Sequence, residues 1–115
     1  MNQKALLHKH LKEYFGYDTF RPLQEKVIQA VLEKKDNLVI MPTGGGKSIC
    51  YQLPALVLEG VTLVLSPLIA LMKDQVDGMN ANGIPSAYLN SSQSNSEVET
   101  VIQKLTTGAL KLLYL

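Results

Sequence analysis

Apolar positions along this chain change spacing several times, and each change marks an element. From Gln3 to Phe15, Leu7, Leu11, Tyr14 and Phe15 recur at helical intervals with lysines between them, which predicts an amphipathic helix closed by Gly16. An aromatic-rich turn follows, and Pro22 is then expected at the first position of a second helix, where its missing N–H costs nothing. Leu23, Val27, Ile28, Val31 and Leu32 form the buried stripe of that helix. Lys34 to Asn37 turns the chain into Leu38, Val39 and Ile40, an apolar run that reads as a short buried strand.

Beyond a glycine-rich turn, a helix is expected from Lys47. It should bend or end near Leu53, because Pro54 removes the N–H that would bond the Cys50 carbonyl, at about 3 kcal/mol if unrelieved. Val61 to Leu65 is the second strand. Ser66 and Pro67 read as the cap and first-turn proline of a helix with Leu68, Leu71, Met72, Val76 and Met79 on one face, closed by Gly83. Ser86 to Leu89 is a third, weaker strand. Ser94 and Glu97 make a capping box ahead of Val98, Val101, Ile102 and Leu105; Gly108 ends that helix, and Leu110 to Leu115 is a fourth strand. Strands about 24 residues apart have the rhythm of right-handed βαβ units, so the expected fold class is α/β with a parallel sheet. The chain stops inside the fourth strand, and we read residues 1–115 as one incomplete domain cut from something longer.

Composition adds little. An apolar content of 46% is ordinary for a globular fold, and no apolar run approaches the roughly 20 residues that span a bilayer. The first ten residues are polar and basic with no apolar signal core, so the expected location is the cytoplasm, with the nucleoid as the address in a bacterium. Cys50 is the single cysteine, which excludes an intramolecular disulfide, and its helical position reads as a small buried hydrophobe. His8 and His10, two apart on a helix, share no face, which argues against a metal site. A net charge of +1 carries no electrostatic signal for nucleic acid.

The chemistry concentrates in LVIMPTGGGKS, Leu38 to Ser48, where an apolar run breaks into glycines and then into a helix start. That is the anatomy of a phosphate-binding loop. A triphosphate needs several donors converging on it; bare backbone N–H groups and the positive end of a helix supply them, and side chains in place of Gly44, Gly45 and Gly46 would block the approach. Lys47 then places a compact charge on the outer phosphates, with the Ser48 hydroxyl on a bridging Mg2+. The strict pattern G-x-x-x-x-G-K-[ST] is broken, since its first glycine falls on Met41.

Loops of the form xPTGxGKS resemble those of superfamily 2 helicases, and the whole chain resembles the amino-terminal part of the first RecA-like motor domain of a RecQ DNA helicase. Three stretches carry the resemblance: FGYDTFRPLQ (Phe15 to Gln24), MPTGGGKSICYQLPA (Met41 to Ala55) and LVLSPLIALMKDQV (Leu63 to Val76). It implies ATP and Mg2+ as cofactors, with Tyr17 and Arg21 stacking on adenine, Gln24 reading its edge, and Thr43 to Ser48 on the phosphates. The chemistry is sound in itself, because glutamine pairs bidentately with adenine N6 and N7 and a guanidinium or phenol stacks on any base. Taken alone, Tyr17 and its neighbour Phe20 also read as core aromatics, Arg21 as a surface charge and Gln24 as a polar helix residue.

The third stretch resembles a DNA-contacting motif, which places Ser66, Pro67, Leu68 and Lys73 along a single strand; Asn90 and Ser91 match a polar loop of the family. Ser66 with Pro67 is equally explained as a helix start, and Asn90 to Ser92 as a turn. The resemblance further implies a parent that couples ATP hydrolysis to 3′-to-5′ unwinding of DNA in repair and recombination, with single-stranded and junction DNA as its partners. Such a parent needs an acidic DEAH-type motif, a second motor domain and, in many cases, a zinc-binding region, none of which lies within these 115 residues. The rival readings are another phosphate-loop enzyme, such as an RNA helicase or nucleotide kinase, and an α/β interaction module that binds no nucleotide. Residues 1–115 alone are expected to hydrolyse no ATP and to be poorly stable or self-associating.

Overall fold

Asn2 starts the first helix by accepting a hydrogen bond from the Ala5 N–H at 2.7 Å. The computed structural model describes residues 2–41 and 46–115, in two units, Met1–Leu58 and Glu59–Leu115. In the first, α1 (Gln3–His10) runs into a π-helical turn, Leu11–Phe15, which Gly16 closes in the left-handed conformation at φ 76°. Leu7 and Leu11 are buried with Ile28 of α2 (Gln24–Leu32), as the helical spacing predicts, and with Leu53 of α3 (Ile49–Val57).

Four expectations are corrected here. Pro22 is not the first residue of α2. Residues Arg21 to Gln24 form a turn, closed by the Gln24 N–H on the Arg21 carbonyl at 3.2 Å, with Leu23 left-handed at φ 74°. A residue in that conformation cannot sit inside an α-helix, so the helix starts at Gln24 and Leu23 stands 58% exposed instead of joining the stripe. α3 begins at Ile49, two residues later than expected. It also does not end at Pro54, one of the two expected outcomes, but continues to Val57: Leu53, Pro54 and Ala55 are all buried, and packing holds the helix that the proline weakens. Finally, Leu38 to Ile40 forms no strand: no described segment pairs with it, and Leu38 and Ile40 are 92% and 86% exposed. Strand propensity alone cannot bury an extended segment that has no neighbour to ladder with.

The second unit holds the parallel sheet. Its strands are β1 (Thr62–Val64), β2 (Ser86–Tyr88) and β3 (Leu112–Tyr114), in the order β1-β3-β2, with Leu112 level with Thr62 on one side and Ser86 on the other. The central strand is buried at all three positions, which accounts for its unbroken apolar run. α4 (Ile69–Ala81) buries Met72, Val76 and Met79, and α5 (Asn95–Thr106) buries Val101 against Ala87, Leu110 and Leu113. Asn80 of α4 satisfies the backbone of Ser86 in both directions, donating to its carbonyl at 3.0 Å and accepting from its N–H at 2.8 Å. The Ser94–Glu97 capping box forms as expected. Ser66, by contrast, does not cap α4: its hydroxyl accepts the Leu68 N–H at 3.2 Å in the preceding turn, and the helix starts at Ile69, leaving Leu68 and Leu71 exposed.

Candidate functional site: a cavity beside the GKS turn

The first unit contains a cavity of about 550 Å³ lined by Tyr17, Thr19, Arg21, Gln24, Gly46, Ser48 and Ile49. Two sequence regions more than twenty residues apart thus meet at one site. Their junction is Gln24, the first residue of α2, whose side chain is only 2% exposed. Its Oε1 accepts the Arg21 N–H at 2.8 Å, and its Nε2 donates to the Gly46 carbonyl at 3.0 Å. Each amide atom keeps one further hydrogen-bonding capacity beyond these. Gly46 has φ +81°, and a Cβ there would collide with Gln24 Nε2. Glycine is required at this position by its neighbour as well as by its own backbone.

Tyr17, half exposed on the turn after Gly16, brings a ring to the cavity, and Arg21 brings a guanidinium; both offer flat faces for stacking. On the other side, Ser48 precedes α3 with helical dihedrals and makes no side-chain capping bond, so its hydroxyl is not spent on the helix. The N–H groups of Lys47, Ser48 and Ile49 have no partner among the described residues, the state of a helix start that can receive an anion. Lys47 is exposed and in no ion pair with a described residue. Beside it, burial pushes the Cys50 thiol above its ordinary pKa, consistent with an inert structural cysteine. This donor set has the chemistry a nucleotide needs: flat faces for a base in the cavity, and beside it an exposed ammonium, a hydroxyl not spent on capping and N–H groups with no partner among the described residues, which could receive phosphates and Mg2+. Thr43, Gly44 and Gly45 lie outside the described residues.

The DNA candidates fall in the second unit. β1 and β2 are parallel, so Ser66 to Leu68 and Asn90 with Ser91 leave the sheet at its carboxyl edge, where open α/β sheets present ligands. The loop's own needs occupy several of these groups. Asn90 Oδ1 accepts both the N–H and the hydroxyl of Ser92, its N–H is taken by Gln93 Oε1 at 2.9 Å, and Gln93 Nε2 donates to the Tyr88 carbonyl at 2.9 Å. Lys73 pairs with Asp77 at 2.7 Å, which raises its pKa. Ser91, exposed and in no bond with a described residue, is the one side chain of that loop pair turned outward.

Residues 21–115 match the model of the DEAD/DEAH box helicase family. The chain belongs to that family. Within it the likeness is to RecQ proteins: 62% identity over 104 residues to the ATP-dependent DNA helicase RecQ of Pasteurella multocida (strain Pm70), covering 90% of this chain and 16% of that protein. The RecQ of Bacillus subtilis (strain 168) is 56% identical over 106 residues, covering 91% and 18%, and that of Synechocystis sp. (strain ATCC 27184 / PCC 6803 / Kazusa) is 50% identical over all 115, covering 24% of its length. The chain therefore spans about a sixth to a quarter of these relatives.

Of the helicase-like residues, Tyr17, Arg21, Gln24, Gly46 and Ser48 are gathered at one cavity. Thr19 and Ile49 line it too and were not anticipated. Ile49 could have been found as the residue after GKS; Thr19 carries no signal beyond lying between two site residues.

Proposed function

We propose that this chain is the ATP-binding part of an ATP-dependent DNA helicase. Tyr17 and Arg21 stack on adenine, Gln24 uses its remaining donor and acceptor on the adenine edge, and Lys47 with the loop N–H groups holds the phosphates. Ser48 would hold Mg2+, whose part is to neutralise charge on the phosphates. The observation that supports this reading is the Gln24–Gly46 hydrogen bond, which joins a cavity large enough for a base to the GKS turn. An interaction module without nucleotide would have no use for that join.

The names of the relatives support DNA as the substrate over RNA, with ATP as the fuel. We further propose 3′-to-5′ unwinding of DNA in repair and recombination, by a parent that binds single-stranded and junction DNA, with Ser66 to Leu68, Lys73, Asn90 and Ser91 on the strand. Zinc, if the working protein uses it, is held elsewhere, since the described residues form no metal-ligating cluster. The test is unwinding of tailed duplexes by the helicase that carries this span. A 3′-tailed DNA duplex should open in an ATP-dependent way that Lys47→Ala abolishes, with 5′-tailed DNA and RNA duplexes left intact. Opening of 5′-tailed DNA alone would overturn the polarity, and opening of RNA alone would overturn the substrate.

A further inference from the structure

We infer that Lys12 is a positioning residue for the base: its ion pair with Asp18 holds in place the segment that carries Tyr17, Thr19 and Arg21 to the cavity. The inference rests on the nucleotide-site reading above and adds to it a residue that touches no ligand. Tyr17, Thr19 and Arg21 line the cavity, and the two residues interleaved with them do not. Those two meet the preceding helical stretch instead. Asp18 Oδ1 accepts from Lys12 Nζ at 2.8 Å, and the Phe20 ring meets the His8 ring of α1 edge-on, with centroids 5.0 Å apart. Contacts thus alternate along the segment, odd positions on the cavity and even positions on the residues before Gly16.

The segment needs such a hold because its own backbone supplies none. No N–H or C=O of Asp18, Thr19 or Phe20 bonds with a described residue. Upstream, the Tyr17 N–H is fixed on the Leu11 carbonyl at 3.3 Å; downstream, Phe20 packs against buried Leu7, Leu11, Ile28 and Leu53, and the Arg21 N–H is held by Gln24. Asp18 and Thr19 lie between these anchors, and among the described residues the Lys12 pair is the bond that reaches them. A turn left free there would present Tyr17 and Arg21 in several arrangements, and a base that needs one of them binds more weakly by the fraction of the time that arrangement is populated. Lys12 stands in the π-helical turn and does not line the cavity, so its effect on a ligand passes through Asp18. The consequence is specific: loss of the pair weakens the hold on the base and leaves the hold on the phosphates as it was.

The experiment measures by calorimetric titration the affinity of the chain for Mg2+-ATP relative to Mg2+-tripolyphosphate, which lacks base and sugar. Both ligands are polyanions, so a change in protein charge acts on both and cancels in the ratio. Lys12→Asp and Asp18→Lys each replace the pair by like charges, and the double exchange of the two restores it reversed. Both side chains are exposed, so the substitutions remove no core. Lys12→Ala, which breaks the pair without repulsion, carries the test if the charge reversals do not fold. An exposed ion pair is worth at most about fivefold in an equilibrium constant. We expect the ATP-to-tripolyphosphate ratio to fall about two- to fivefold in each single variant and to return to the wild-type value in the double exchange. An unchanged ratio in folded single variants, or a lowered one that the double exchange fails to restore, would overturn the inference and leave the nucleotide site standing. Wild-type binding of ATP no tighter than that of tripolyphosphate would instead overturn the reading of the cavity as a base site.

Discussion

Leu23 shows how one residue can bear strain for its neighbours. Its left-handed backbone turns the chain so that Gln24 faces inward, and that conformation costs a non-glycine residue about 1–2 kcal/mol. Glycine would remove the strain and return part of the gain to the entropy of the unfolded chain. Leu23→Gly should therefore stabilise the protein by about 0.5–1 kcal/mol, seen as a rise of a few degrees in the thermal midpoint. A fall would mean that the exposed leucine packs more strongly than its accessibility indicates. His10 provides a second test. Its Nδ1 is buried without a partner among the described residues, and desolvation lowers its pKa from the ordinary 6.5, with Glu13 opposing and Lys9 adding to the shift. A lowered folded pKa means the unfolded chain takes up the proton first, so this contribution is intact above pH 6.5 and is lost as pH falls through it. Denaturant midpoints at pH 7.5 and 5.5 should converge in His10→Gln relative to wild type; an unchanged difference would remove His10 from the account. The sequence could not disclose either feature. Leu23 lies on a helical stripe by spacing alone, and only the bond from the Gln24 N–H to the Arg21 carbonyl reveals the turn.

At the scale of elements, what was legible depended on whether an element's partners lie nearby in sequence. The Ser94–Glu97 box is local, and it formed as read. Ser94→Ala should cost about 1 kcal/mol, measured by chemical denaturation, whereas Ser66→Ala should cost less, because Ser66 supports a turn and no helix. Equal losses would contradict the shifted start of α4. Leu38 to Ile40 was misread because a strand is decided by its neighbours, and apolar residues in a row specify burial without supplying it. Pro54 does not end α3, because its local penalty is outweighed by the buried Leu53 and Ala55 on either side. The site itself was legible in its residue types, through the GKS turn and the Tyr17, Arg21, Gln24 grouping. The bond that unites them was not, since it spans residues 24 and 46.

For the whole molecule, chemistry and solution behaviour follow from what the two units expose. Among the described residues no carboxylate lines the cavity, so none there could position water or add a second acidic contact to Mg2+. Nucleotide binding without turnover is the expected outcome, and phosphate release above background would contradict it. Leu38, Ile40, Leu63, Leu65 and Leu68 are exposed, and β1 is an edge strand, so sedimentation should show association that grows with concentration. A monomer at all concentrations would mean those leucines are covered in solution.

The most direct test of the nucleotide site is a calorimetric titration of Mg2+-ATP into the wild-type chain and into Lys47→Ala, with matched circular dichroism. Loss of a charge-assisted contact of about 1.5–3 kcal/mol weakens affinity roughly tenfold to a hundredfold. The account predicts saturable binding by wild type and a loss of that size in a folded Lys47→Ala. Equal binding by the two chains, or none by a folded wild type, would contradict it.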